Sequence, residues 1–221
     1  MLSSELRRDG EHVPALAGVV HIVDDDDALR AALVRLVRSA GLEARSHCSA
    51  SGLRDAASAE RPRCIILDIR LERENGLSVQ QALHDDGNTA PVIFLTGFGT
   101  IPMTVQAMRA GAAEFLTKPV NDDVLLPAIL RALEHDALMA HRHQTQVDLE
   151  LRLARLTERE GEVMRLVIGG LMNKQVAGEL GTTEITAKVH KRRVMEKMRA
   201  RSLPDLVRMA EQLGIAAVRS R

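Results

Sequence analysis

Val19-Val20-His21-Ile22-Val23-Asp24-Asp25-Asp26-Asp27 decides the fold. A five-residue run, apolar but for His21, leads straight into four carboxylates. With almost no polar alternation, the run reads as a strand covered on both faces. Such strands belong to parallel sheets flanked by helices.

Working outward, the same pattern recurs. Leu29, Leu33, Leu36 and Val37 follow at helical spacing, and Gly41 stops that helix. A weaker strand around Ala44–Cys48 leads to a helix near Ala50–Ala59. Pro62 precedes the strand Cys64-Ile65-Ile66-Leu67, and a helix runs from Leu77 to about His84 after Gly76. Pro91 opens Val92-Ile93-Phe94-Leu95, a helix spans about Pro102 to Arg109, and Glu114–Thr117 is a fifth strand. A helix from about Asp122 to Leu138 closes the unit. Five β–α repeats predict an α/β fold with a doubly wound, five-stranded parallel sheet. Residues 139–152 are polar, lack Gly and Pro, and are expected to form a helical linker.

The rest of the chain carries only helical patterns. Thr157-Glu158-Arg159-Glu160 has the form of a capping box, and Gly169-Gly170 ends that helix. Asn173–Leu180 is a short helix broken at Gly181; Thr183 caps the next, which runs to about Ala200. Ser202-Leu203-Pro204-Asp205 starts the last, which ends at Gly214. Two helices joined by a tight Gly turn, the second densely basic, match a helix-turn-helix.

Composition sets limits on function. The 221 residues carry 30 basic and 30 acidic side chains, a formal charge of zero. Residues 1–144 hold 15 basic and 20 acidic groups, net −5, and residues 145–221 hold 15 and 10, net +5. An acidic half joined to a basic half implies two domains with different partners. No window is apolar enough for a transmembrane helix, so no membrane partner is expected. Met1–Ala17 lacks the apolar segment of a signal peptide and is expected to be a flexible extension. Two cysteines, Cys48 and Cys64, fit a reducing cytoplasm. With no Trp, no Tyr and three Phe, single-strand binding by aromatic stacking is disfavoured.

In a parallel sheet, ligands bind at the carboxyl ends of the strands. Asp24–Asp27 follow the first strand, Asp68 the third, Thr96 the fourth and Lys118-Pro119 the fifth. Four strands thereby deliver carboxylates, a hydroxyl and an ammonium to one edge. Clustered carboxylates with room for water suit Mg²⁺. A carboxylate beside that ion can attack phosphorus, and Thr96 and Lys118 can stabilise the phosphoryl oxygens. Gly97 leaves room for the group. Asp26 and Asp27 read better as helix-capping acids.

Val23-Asp24-Asp25, Asp68, Thr96 and Lys118-Pro119 resemble the receiver domain of two-component response regulators, a flavodoxin-like fold. Thr96-Gly97-Phe98-Gly99-Thr100-Ile101-Pro102-Met103, with Gly111-Ala112 and Phe115, resembles the FixJ branch. The resemblance implies that Asp68 accepts a phosphoryl group from a histidine kinase. It implies Mg²⁺ held by Asp25, Asp68 and the backbone carbonyl of Arg70, with Asp24 assisting through water. It makes Thr96 and Lys118 the phosphoryl contacts and Phe115 the switch aromatic; from the residues alone, Phe115 is equally a core residue. Two positions depart from the pattern. Leu71-Glu72 stand where receivers commonly carry Met-Pro, and Val120 where an aromatic is common.

In the basic half, Ala187, Val194 and Met198 share one face of a helix and Lys188 and Arg192 another. Lys188 and Arg192 can donate to guanine, Val189 can touch a thymine methyl, and Lys174, Lys191 and Arg193 suit phosphates. A protein-binding helical module would show the same pattern. Leu156–Glu160, Gly170–Ala177, Thr186–His190, Lys197-Met198 and Ser202–Ala210 resemble a LuxR-type helix-turn-helix of the FixJ/NarL kind, which favours duplex DNA. The expected domains are thus a receiver at 18–138, a linker at 139–152 and a DNA-binding domain at 153–221.

These resemblances imply a cytoplasmic transcription regulator rather than an enzyme, with a histidine kinase, promoter DNA and RNA polymerase as partners. Phosphorylation of Asp68 would favour a homodimer through the fourth and fifth helices and the fifth strand, and release of an autoinhibitory domain contact is an equally open route. A dehalogenase-type phosphatase would need an acid two residues after its nucleophile, where Arg70 stands. A receiver that only dimerises and is never phosphorylated is the remaining alternative. His21 is expected to be a buried core histidine. His135, His141 and His143 lack clear ligand spacing, so no metal is expected there.

Overall fold

The computed structural model describes residues 18–56, 63–72, 74–97 and 99–218. The expected N-terminal extension, the end of the second helix, Pro62 and Phe98 lie outside the described residues. The chain divides into two compact units, one ending at Ala140 and the next beginning at His141.

In the first unit the elements are β1 (Val19–Val23), α1 (Asp27–Ser39), β2 (Glu43–His47), α2 (Ala50–Ala56), β3 (Arg63–Leu67), α3 (Gly76–Asp85), β4 (Val92–Thr96), α4 (Ile101–Arg109), β5 (Glu114–Thr117) and the start of α5 (Asp122–Leu153). The strands form one parallel sheet in the order β2-β1-β3-β4-β5. Every residue of β1, β3 and β4 is buried, because alternate side chains enter two separate cores. Val20, Ile22, Ile66, Ile93 and Leu95 pack with Leu33 of α1 and Leu125, Ile129 and Leu133 of α5. Val23, Ile65, Leu67 and Phe94 pack with Leu53 of α2, Val79 and Leu83 of α3 and Ala107 of α4. The doubly wound sheet read from the sequence is therefore observed.

Boundaries shift modestly. The edge strand β2 begins at Glu43 and ends before Cys48, and Thr96 is the last residue of β4 rather than the residue after it. The helix α5 runs unbroken to Leu153 and so takes in residues 139–152. Asp26 caps α1 by accepting from the N–H groups of Ala28 (2.9 Å) and Leu29 (3.1 Å), as its position after β1 suggested. These bonds, led by that from Leu29, hold its carboxyl below the usual range.

The second unit contains α6 (Glu158–Ile168), α7 (Asn173–Glu179), α8 (Glu184–Met198) and α9 (Leu203–Gln212). Val163, Val167, Val176, Ala187, Val194, Met198 and Leu206 form its core. The Thr157–Glu160 capping box is present, and Thr183 and Ser202 cap α8 and α9. Gly181 takes a positive φ of 61° in the turn between α7 and α8, a conformation that favours glycine. Gly169 has another role. A Cβ there would meet the carbonyl oxygen of Val218 at 2.1 Å, because the C-terminal segment lies against the end of α6.

Candidate functional site

Three sheet strands converge on the acidic edge. Asp24 leaves β1 and Asp68 leaves β3; both are buried, at 2% and 6% exposure, while Asp25 is exposed. Carboxylate oxygens of Asp24, Asp25 and Asp68 all lie within 4.8 Å of one another. Lys118, following β5, reaches into this cluster. Its Nζ donates to Asp68 Oδ2 at 2.6 Å and to Asp24 Oδ2 at 2.7 Å. Burial opposes the charge on Lys118. Its hydrogen bonds to Asp24 and Asp68, and their charges, outweigh it and hold the ammonium above its ordinary pKa. The following Lys118–Pro119 peptide bond is cis.

Backbone groups complete the pocket. Arg70 N–H donates to Asp68 Oδ1 at 3.0 Å, and Asp26 N–H to Asp24 Oδ1 at 3.0 Å. Asp68 N–H donates to the Val23 carbonyl at 3.0 Å, fixing the end of β3 beside β1. Gly76 closes the loop after Asp68: its N–H donates to the Ile69 carbonyl at 2.8 Å. A Cβ on Gly76 would fall 2.4 Å from the Asp68 carbonyl oxygen, so the close approach requires glycine. Three carboxylates, one of them the solvent-exposed Asp25, fit a hard divalent cation such as Mg²⁺.

Thr96 is fully buried, and its carbonyl accepts from Lys118 N–H at 2.8 Å. Space beside it is open; a Cβ on Gly97 would meet nothing within 4 Å. Phe115 is half-buried, its ring tilted against Phe94 with centroids 6.3 Å apart. Gly99 lies against the Phe115 ring edge, where a Cβ would come within 2.9 Å of Cε1.

In the second unit, Ala187, Val194 and Met198 are buried as their spacing predicts. Lys188, Val189, Arg192 and Arg193 of α8 and Lys174 of α7 are exposed, while Lys191 is half-buried. Arg192 pairs with Glu196 at 3.1 Å. Lys197, part of the same basic run, faces away from it. Its Nζ donates to the buried Glu160 at 2.5 Å and to the Arg155 carbonyl at 3.0 Å. Burial raises the Glu160 pKa, but Lys197 and the Thr157 N–H hold the carboxyl below its ordinary value.

Some contacts escape sequence reading. His21 is fully buried, as expected, but its Nδ1 lies 3.1 Å from Nε2 of His47, a partner set by β1–β2 register. Asp136 is buried on α5 and accepts from Arg63 N–H at 2.9 Å. Both cysteines are free; Cys64 is buried and its thiol pKa is pushed up. Among the described residues no helix is long and apolar enough to cross a membrane.

The model for the response regulator receiver domain matches residues 20–130, and that for the LuxR family of bacterial regulatory proteins matches residues 154–210. The chain belongs to the response regulators that join a receiver to a LuxR-type DNA-binding domain. It is 45% identical over 212 residues to Nodulation protein W of Bradyrhizobium diazoefficiens, covering 96% of this chain and 93% of that one. It is 39% identical over 197 residues to the transcriptional regulatory protein FixJ of Azorhizobium caulinodans, covering 89% and 93%. Among solved structures, response regulator StyR is 42% identical with a TM-score of 0.83, over 88% of this chain and 98% of that one. This family is one of transcriptional regulators, not of enzymes.

Proposed function

We propose that Asp68 is the phosphoryl acceptor of a histidine kinase and that its phosphorylation controls dimerisation and promoter binding. The observation that carries this reading is the Lys118 ammonium, 2.6 Å from one oxygen of Asp68 and 2.7 Å from Asp24. A carboxylate at a strand end, flanked by a cation and beside the solvent-exposed Asp25, is placed for attack on phosphorus. An Asp68 oxygen bonds to phosphorus as the bond from phosphorus to the kinase histidine nitrogen breaks, and the imidazole leaves. Asp25, Asp68 and the Arg70 carbonyl, with Asp24 assisting through water, would hold Mg²⁺, which would neutralise charge on the phosphoryl oxygens. Lys118 then exchanges its contact with Asp68 for a phosphoryl oxygen, and the Thr96 hydroxyl turns towards another. The volume Thr96 leaves draws the half-buried Phe115 inward past Gly99.

Dimerisation would use the face beside Phe115. Ile101, Val105 and Met108 recur at helical spacing on α4 and are exposed, Ile101 at 83%. Nearby, Arg131 of α5 pairs with Glu114 of β5 at 3.3 Å. A second copy seated there would cover these apolar groups and bring two α8 helices to adjacent half-sites. Lys188, Val189 and Arg192 would read bases, and Lys174, Lys191 and Arg193 would hold phosphates. We assign residues 18–138 to the receiver, 139–152 to a helical linker and 153–221 to the DNA-binding domain. Such a regulator works in the cytoplasm and acts on RNA polymerase.

The test is the mass of the particle in solution and its affinity for duplex DNA, before and after treatment with Mg²⁺ and acetyl phosphate. Wild type is expected to shift from monomer to dimer and to bind more tightly. Asp68→Asn is expected to do neither; an unphosphorylated dimer with full affinity would contradict the switch.

A further inference from the structure

The helix α8 carries an apolar residue that its fold does not use. Ile185 is 78% exposed and takes no part in the core of its unit. At about 100° per residue, it stands roughly opposite the buried row Ala187, Val194 and Met198. The same rotation puts Lys188, Val189 and Arg192 within about 60° of it. All three are exposed. Ile185 and Val189, one turn apart, therefore form an apolar strip inside a cationic face. Isoleucine is a weaker helix former than the straight-chain residues usual on a helix surface, so helix stability does not explain it.

We infer that Ile185 reads DNA sequence by packing against the 5-methyl group of a thymine, acting with Val189 as a second apolar reader. This rests on the proposal that α8 occupies a major groove. Two features favour thymine over a protein partner as what covers the strip. The flanking Lys188, Arg192 and Arg193 match a polyanion, whereas an apolar protein surface would leave those cations desolvated. Ile185 is the second residue of α8, and in a helix-turn-helix the N-terminal residues of the second helix meet the base edges. The thymine methyl is the one apolar feature on the major-groove edge of a base pair. Arg192 lies about 10 Å further along the helix, so Ile185 would read a base pair separate from the one Arg192 reads.

Uracil in place of thymine removes only the methyl and gives a direct test. Duplexes would be selected from a random pool by the full chain after acetyl phosphate treatment. Each thymine in the selected site would then be replaced singly by uracil. Wild type is expected to lose roughly threefold to fivefold in affinity at the thymine facing Ile185, the effect of one buried methyl. Ile185→Ser is expected to be indifferent to that replacement, Ile185→Val to keep most of the sensitivity, and both to keep the response at thymines read by Val189. If Ile185→Ser keeps the wild-type sensitivity at every thymine, or wild type ignores all replacements, the assignment of Ile185 is overturned while DNA recognition stands. If wild type enriches no sequence, DNA reading by α8 fails and this inference fails with it.

Discussion

Lys118 Nζ sits 2.6 Å from Asp68 Oδ2, across 50 residues of sequence. The contact joins the end of β5 to the end of β3 and leaves no acidic group of the inner pocket without a cation, since the same ammonium serves Asp24. Two buried carboxylates this close repel unless a positive charge lies between them. The pocket is thus stable with Lys118 in place, and a phosphoryl group would compete for the same ammonium. A group that must be displaced to a new partner is a natural reporter of the event.

That arrangement has a pH signature. The Lys118 pKa is raised in the folded protein, so its contribution to stability is fully present below the ordinary lysine value of 10.5 and is lost as pH rises through the higher folded value. Urea denaturation of wild type and Lys118→Met is expected to show a roughly constant stability gap from pH 6 to 9, closing above about 10.5. A gap that persists unchanged at alkaline pH would show that Lys118 acts through packing alone.

Gly76 shapes the loop that carries Asp68. An added Cβ would overlap the Asp68 carbonyl oxygen, and the next nearest atoms are also backbone of Asp68 and Ile69, with no flexible side chain to give way. Gly76→Ala is expected to cost about 2–3 kcal/mol in urea unfolding and to slow phosphorylation by acetyl phosphate at least tenfold. Normal kinetics in the variant would mean that the loop shifts freely without disturbing the acceptor.

The DNA-binding unit has its own buried ion pair, Glu160 with Lys197. Glu160 is held below its ordinary pKa of 4.5, so its stabilising effect is present above that value and is lost as pH falls through the lower folded one. Lys197→Met is expected to destabilise this unit by about 1–3 kcal/mol at neutral pH, because Glu160 stays buried without its cation. The difference should shrink in thermal melts below about pH 4. A neutral-pH melting temperature equal to that of wild type would contradict the account.

The central strands were legible because both faces of β1, β3 and β4 are covered, which leaves continuous apolar runs. β2 was harder: Glu43-Ala44-Arg45-Ser46-His47 lies at the sheet edge, and Ala44 alone is buried. Reading the carboxyl ends of the strands was enough to collect Asp24, Asp25, Asp68, Thr96 and Lys118, since parallel topology brings those ends together. It did not reveal that Lys118 bridges Asp24 as well as Asp68, which depends on how far its side chain reaches. Glu160–Lys197 and Arg63–Asp136 were invisible because they link residues 37 and 73 apart, with no local pattern to connect them. Ile185 gives no signal of its own, because a single apolar residue ahead of the basic run of α8 fits a buried and an exposed position equally well.

The most direct test of the central claim is the intact mass of the chain after incubation with Mg²⁺ and acetyl phosphate, compared with Asp68→Asn and with chelator present. The account predicts one phosphoryl adduct on wild type, lost with chelator and absent from Asp68→Asn. An adduct of equal yield on Asp68→Asn, or none on wild type even with a kinase as donor, would contradict it.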